Sequence, residues 1–325
     1  MFSKIIYWQR ILNTYVLKGD NNLSFWHGNP SINSLANYSK LGHYYMNFEN
    51  KALYNGDLDN NGIPLLNYKG DIGLQYNPIA ISQWSLGNYN LWKKKNDKDA
   101  FCKFLLGADW LLNNYSKNKF NQYVWVHTFN WVYKEELVSP WYSGLAQGQG
   151  LSVLCRAYIE TGNDQYLKLS KKIYNSFLED VYSGGVTFKD KNNNIWIEEY
   201  IMKKKPTHIL NGFIWGLWGI YDYWLITKDN KVYQLFKQYV KTIKENLQRY
   251  DIGYWSLYEL SDLKIKMRAS RFYHKLHIVQ LNILSEMSKE KVFEEVAKKW
   301  SSYEDKKLNI FKTTLMKIIF KILYY

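Results

Sequence analysis

Residues 192–222 read Asn192-Asn-Asn-Ile-Trp-Ile-Glu-Glu-Tyr-Ile-Met-Lys-Lys-Lys-Pro-Thr-His-Ile-Leu-Asn-Gly-Phe-Ile-Trp-Gly-Leu-Trp-Gly-Ile-Tyr-Asp222. The first part predicts a short extended segment delivering Glu198, Glu199 and Tyr200 to a rim. The second predicts a buried helix beginning near Pro206. That helix is apolar on nearly every side, and Gly212, Gly216 and Gly219 suit close approach to neighbouring helices. Neighbouring side chains of a strand point to opposite faces, so Glu198 and Glu199 share one site only if the chain bends. A solvated acidic pair at a hairpin end is the competing reading.

Working outward, the chain changes character after Asn77-Pro78. Period-3.6 apolar patterns predict helices over 78–92, 99–116, 143–161, 165–180, 206–227, 231–249, 271–288 and 290–303. Some alternate members are strongly apolar, and others carry Lys and Glu on one face, as in Tyr239-Val-Lys-Thr-Ile-Lys-Glu-Asn-Leu. An inner ring wrapped by an outer ring fits this contrast: an all-α fold, an α/α toroid or incomplete α/α barrel of about four helical hairpins, with loops from one end forming a cleft. The periodicity alone also permits an α-solenoid.

Three regions follow. Residues 1–76 hold an amphipathic helix (Ile5, Trp8, Leu12, Tyr15, Val16) and a small hairpin/loop region; 77–305 form the toroid; 306–325 are a basic amphipathic tail. Turn signals crowd Asn55–Tyr76. Within them Asp57, Asp59, Asn61 and Gly62 match half of a calcium loop, but Tyr68 stands where a bidentate Glu is needed, which favours a plain turn. The N-terminal apolar run is broken by Gln9, Arg10 and Asn13 and lacks a small-residue cleavage site, so no signal peptide is expected. No spanning helix is expected either. The tail alternates Lys with an apolar stripe, which suits either an interfacial helix on anionic lipid or a helix packed on the toroid wall.

Composition narrows the function. A formal net charge of +14 favours polyanionic partners, yet no zinc-finger spacing, RNP-like motif or Arg-rich arm marks a nucleic-acid module. Aromatics make up 18% of the chain, and rings with polar handles are natural sugar-stacking platforms; a ring-rich core is the alternative. Cys102 and Cys155 fall in helical patterns and read as buried thiols rather than a disulfide, which leans towards a cytoplasmic protein.

Four stretches place polar and aromatic residues at the presumed inner helix ends. Pro140-Trp-Tyr-Ser-Gly-Leu-Ala-Gln-Gly-Gln sets Trp141 and Tyr142 before a helix start at Ser143, with Gln147 inside it. Ile197-Glu-Glu-Tyr is the second. Tyr250-Asp-Ile-Gly-Tyr-Trp-Ser-Leu-Tyr-Glu-Leu reads as a turn and a strand carrying Tyr258. Arg271-Phe-Tyr-His-Lys-Leu-His-Ile-Val-Gln-Leu opens a helix whose Tyr273, His277 and Gln280 share a face. Taken singly, Tyr273 and His277 suit satisfied core positions, and for a lone buried His the core reading is the favoured one.

Together with Tyr76-Asn-Pro-Ile-Ala-Ile-Ser-Gln, Leu210-Asn-Gly-Phe and Tyr221-Asp, these stretches, in this order, resemble the C-terminal helical domain of the D-glucuronyl C5-epimerase family over roughly residues 71–303. The resemblance implies an enzyme that inverts C5 of D-glucuronate units in a heparosan-like polysaccharide to L-iduronate, without a cofactor or catalytic metal. It implies catalytic roles for Glu199, Tyr200, Tyr258 and Tyr273. Animal members insert a β-domain where a short charged loop follows residue 92 here, and carry an Arg where Ser261 stands.

The chemistry follows from the substrate. The C5 hydrogen lies α to a carboxylate, so its removal makes an enolate dianion that donors and cations must stabilise. Inversion needs a second acid/base group on the opposite face. Tyr273 and Glu199 are the expected pair, with Tyr200 and Tyr258 supporting or replacing Glu199. Arg271, Lys275, His274 and His277 are the expected positive cluster; Trp141, Tyr142, Gln147, Glu198 and Asn211 the other substrate contacts, Asn211 equally suiting a helix bridge. A uronate lyase begins with the same proton abstraction, and a glycan-binding scaffold would bind without reacting. The partner expected is an acidic polysaccharide or lipid-linked oligosaccharide, with an anionic membrane's inner face and a homodimer as further expectations.

Overall fold

The computed structural model describes residues 25–26 and 28–324. The predicted helix around Ile5–Val16 lies outside the described residues. Eight helices form four hairpins: α1 (Pro78–Lys95) with α2 (Lys98–Asn113), α3 (Gly144–Thr161) with α4 (Asp164–Asn175), α5 (Leu210–Thr227) with α6 (Asn230–Asn246), and α7 (Arg271–Ser288) with α8 (Lys291–Glu304). The odd-numbered helices pack against one another in chain order, and the even-numbered ones cover them. This is the all-α, incomplete α/α toroid expected. A last helix, α9 (Lys307–Tyr324), follows. No described helix is long and apolar enough to cross a membrane.

The hairpins share one turn design. All four inner helices have 18 residues, and each ends on a left-handed residue, Asn96, Gly162, Lys228 or Lys289, which closes the last carbonyls. The next residue, Asp97, Asn163, Asp229 or Glu290, is already the N-cap of the outer helix. These tight turns leave no chain to spare at that end. All the long connections therefore run at the other end, where the inner helices begin. Their N-termini carry partial positive charge, and Asn77, Ser143 and Ser270 cap three of them through side-chain oxygens.

The opposite end is closed. The segment leading into α1 crosses it: Tyr44 N donates to Asn90 Oδ1 at 2.7 Å, and the Gly42 carbonyl accepts from Arg156 Nε at 2.9 Å. Arg156 on α3 and Asp222 on α5 form a fully buried ion pair at 2.6 Å, and Tyr45 adds its hydroxyl to Asp222 at 2.5 Å. Asn90, Arg156 and Asp222 stand at the same level of their helices, the thirteenth residue of each.

Between α3 and α5 the backbones nearly touch. A Cβ on Gly219 would lie 2.7 Å from Gly148 Cα and closer still to the Gly148 carbonyl oxygen, and one on Gly148 would lie 2.7 Å from the Trp215 carbonyl oxygen. Both obstacles are main chain, which cannot rotate away. Gly219→Ala is thus expected to cost about 2 kcal/mol or more through forced separation of the two helices, read as a lower urea midpoint at unchanged slope. An unchanged midpoint would mean the contact is looser than described.

Two expectations need correction. The buried helix starts at Leu210 rather than near Pro206, because Glu198 takes the Thr207 and His208 N–H groups and the Leu210 N–H donates to the Tyr258 carbonyl at 3.2 Å. Cys102 is exposed, since α2 turns Ala100, Phe104, Ala108 and Leu111 inward; Cys155 is buried, and neither forms a disulfide. In the hairpin region Leu66–Asn67 pairs with Leu74–Gln75. Asp59 spends its carboxylate on the Asn61 and Ile63 N–H groups and the Tyr76 hydroxyl, a turn cap.

Candidate active site

The three long connections build the open end. Residues 114–143 form small ladders, one pairing Val126–His127 with Trp141–Tyr142. Residues 176–209 contain the hairpin Thr187–Lys189 with Ile195–Ile197. Residues 247–270 fold back on themselves through bridges Asp251 to Ser256 and Leu257 to Arg268. Of the phenols and carboxylates singled out in the sequence, Tyr142 comes from the first of these, Glu198, Glu199 and Tyr200 from the second, Tyr258 from the third and Tyr273 from the first turn of α7.

Glu198 and Glu199 follow the strand directly and take different partners. Glu198 accepts from the Thr207 and His208 N–H groups at 3.1 Å each and from His208 Nδ1 at 2.5 Å. His208 is held in a left-handed conformation by these bonds and stacks on Trp196 at 4.0 Å. Glu198 therefore ties the loop 199–208 shut. Both carboxylates are buried, which excludes a solvated pair and corrects the expected rim.

Glu199 accepts from Asn211 Nδ2 at 3.3 Å, at the start of α5. Its carboxyl is pushed up to about 8, chiefly by burial and further by the charges of Glu198 and Glu259; hydrogen bonds from Tyr200 and Asn211 pull the other way. At neutral pH this carboxyl holds its proton. Gly212 makes the placement feasible, because a Cβ there would sit 2.7 Å from Glu199 Cβ and closer still to its carboxylate oxygen.

Tyr258 and Tyr273 pack edge to face with ring centroids 4.8 Å apart. Burial raises the Tyr258 phenol well above its ordinary range, and negative charge on Glu199, Tyr273, Tyr200 or Tyr133 would raise it further. These five residues thus form one electrostatic cluster. Tyr200 lies 4.7 Å from the Tyr133 ring and 5.8 Å from Trp141. Trp141, Tyr142, Tyr200 and Tyr273 are half-buried, so this side of the cluster faces solvent.

Other expected contacts are occupied by the protein itself. The Gln147 amide bridges to the Trp125 main chain at 3.0 and 3.2 Å and to the Ser143 carbonyl at 3.1 Å. Asn211 gives its amide to Glu199, and its own carbonyl accepts from Gln280 at 3.0 Å. The buried Asn211 Oδ1 and Gln280 Oε1 have no hydrogen-bond donor among the described residues. His274 stacks on Trp255 at 3.9 Å and bonds to Ser256 and the Trp300 carbonyl. Burial lowers it to about 4 and lowers His277 well below the usual imidazole range. Arg271 is largely exposed and reaches Glu304 at 3.4 Å, and with Lys275 it lines a surface depression beside Gly28–Pro30.

The two histidines are neutral at physiological pH, so positive charge beside the phenols comes from elsewhere. Lys134 pairs with Glu259, which also takes the hydroxyls of Tyr133 and Ser261. Burial lowers the Lys134 ammonium, and Glu259 partly offsets this. Sequence reading missed Tyr133, Lys134 and Glu259. Lys134-Glu-Glu has the look of a solvated turn, and Glu259 follows Tyr258 in a short extended segment, where neighbouring side chains point to opposite faces. Close by, the buried His127 lies flat on Trp141 at 3.9 Å.

The family described as D-glucuronyl C5-epimerase C-terminus matches residues 117–302, more than half the chain and all three connections of the open end. The D-glucuronyl C5-epimerase of Caenorhabditis elegans is 30% identical over 218 residues, which make up 62% of this chain and 34% of that protein. The chain thus spans about a third of that relative's length. An uncharacterized protein of Methanocaldococcus jannaschii is 28% identical over 246 residues, covering 70% of this chain and 78% of the other. Among solved structures, the unsaturated glucuronyl hydrolase of Bacillus sp. GL1 superposes with a TM-score of 0.46 at 15% identity, over 69% of this chain and 61% of that one. On the extent of the first match, the chain belongs to the D-glucuronyl C5-epimerase C-terminus family.

Proposed function

We propose that this protein inverts C5 of D-glucuronate residues within a polysaccharide to give L-iduronate. The observation that carries the reading is the convergence of Glu199, Tyr200, Tyr258 and Tyr273 from three chain segments, with the Glu199 carboxyl held at about 8. One group takes the C5 proton, the electron pair moves into the sugar carboxylate as an enediolate, and a proton from the other side re-forms the C–H bond. Nothing is oxidised or reduced. Glu199, protonated at neutral pH, suits the donor. Tyr273 is assigned the opposite face as the base.

Making a phenol a base at pH 7 costs about 4 kcal/mol from its reference pKa near 10, so the surroundings must favour negative charge. Tyr258, whose proton is held tightly, suits hydrogen-bond donation to the enediolate. Lys134 is the assigned cation for the sugar carboxylate, and the inner-helix N-termini add positive potential at the same end. Trp141, Tyr142 and Tyr200 offer half-buried rings for neighbouring sugars.

Incubation with an unsulfated polymer of glucuronate and N-acetylglucosamine in deuterated water tests this. Expected are C5 deuterium and iduronate signals by NMR. Unsaturated sugar in place of iduronate would identify a lyase, and binding with no exchange a scaffold; either overturns the proposal. Lys134→Met is expected to lower kcat/KM by about 10- to 100-fold, the worth of a charge-assisted hydrogen bond to a carboxylate. Unchanged kcat/KM would leave Lys134 as a partner of Glu259 alone.

A further inference from the structure

Helix α9 is built with its apolar side outward. Asn309, Thr313, Lys317 and Phe320 are buried, while Leu308, Phe311, Leu315, Ile322 and Leu323 are exposed, Phe311 at 65%. Residues 308, 311, 315 and 322 recur at helical spacing and form one stripe. A helix that simply covered the toroid wall would bury that stripe. Its inward side is anchored instead by Phe320, with Ile310 and Tyr324 packed beside it on the core, and by polar contacts: Asn309 Nδ2 donates to the Tyr303 carbonyl at 3.0 Å, and the Tyr324 hydroxyl accepts from Ile265 N at 3.4 Å.

The stripe has a charged border. Lys306, Lys307 and Lys312 are exposed, and at about 100° per residue Lys307 and Lys312 fall on either side of it. Residues 306–325 contain no Asp or Glu. An exposed apolar band edged by lysines is complementary to a surface that is apolar inside and anionic at its boundary. The net charge of +14 adds attraction of the same sign at longer range.

We propose that α9 docks this protein on a bilayer of anionic phospholipid. The helix lies among the headgroups, with the stripe in the acyl chains and the lysines at the phosphates. Its last turn touches the segment around Ile265, which belongs to the connection that carries Tyr258. Docking would bring that connection close to the lipid surface. The docking is independent of the reaction proposed above.

Flotation of the full chain with phosphatidylcholine vesicles, with and without phosphatidylglycerol, tests it. Expected is recovery with the anionic vesicles only, falling as salt rises. Phe311→Ser with Leu315→Ser alters exposed positions and is expected to lower partitioning about tenfold or more, with the circular-dichroism melt unchanged. Lys307→Ala with Lys312→Ala, a separate protein, is expected to weaken binding and flatten the salt dependence. The proposal is overturned if the intact chain ignores anionic vesicles, or if the serine variant binds as well as the parent. It is also overturned if the stripe proves to hold a second copy, seen as a dimer by sedimentation that the serine variant loses, with no vesicle binding.

Discussion

Glu199→Gln is expected to reduce C5 hydrogen exchange by about 10²- to 10⁴-fold, the usual worth of a positioned acid or base, while making the protein more stable in mild alkali. Both effects come from one environment. The carboxyl rises from its ordinary 4.5 to about 8 because it is buried, and that difference corresponds to about 5 kcal/mol. Below pH 4.5 the group is protonated folded and unfolded, and burial costs nothing in charge. Between 4.5 and about 8 the unfolded chain gives up the proton and the folded protein does not, so stability falls as pH rises. Above about 8 the loss is complete. A glutamine is neutral throughout, so the advantage of the variant should appear across this window and level off above it. Activity relying on the protonated carboxyl should decline through about 8 in the parent. Urea melts of both proteins from pH 5 to 9, beside deuterium exchange, check this; a variant with full exchange, or with parallel stability curves, would remove Glu199 from the role assigned.

Asp222→Ala is expected to destabilise the fold by about 3–5 kcal/mol, because it leaves the Arg156 guanidinium buried without its counter-ion. For a domain of this size that is a fall in Tm of about 10 °C. Arg156 would keep only the Gly42 and Ser152 carbonyls, and Tyr45 would lose its acceptor. Arg156→Met combined with Asp222→Leu is expected to recover most of the loss, since apolar groups of similar volume need no partner. Thermal melts of the single and double variants decide it, and a single variant within 1 kcal/mol of the parent would show that water reaches the pair.

The inner helices were legible because their ends are chemically marked: Asn77-Pro78, Ser143 and Ser270 begin three of them, and Gly162 ends one. The start of α5 was misread for an equally local reason. Pro206 is a good first helical residue, but the Thr207 and His208 N–H groups that would open the helix are captured by the Glu198 side chain, a contact that helical periodicity does not reveal. The site divides the same way. Glu199, Tyr200, Tyr258 and Tyr273 sit in ordered motifs, whereas the role of Lys134 depends on Glu259, 125 residues away in the chain. His274 and His277 looked like cations since nothing in Arg271–Leu281 reveals the covering Trp255 and Trp300. For the tail, periodicity showed a stripe, and only packing shows which side of it is inward.

The crossing of residues 42–46 over the Arg156–Asp222 layer makes the ring of helices a blind cup. The long glycan proposed as substrate would then be unable to thread through it and would lie across the mouth, with tails free to leave on both sides. On the reaction proposed above, such a geometry would let sugars deep within a polymer be served as readily as terminal ones, and it would set no upper limit on the length of chain.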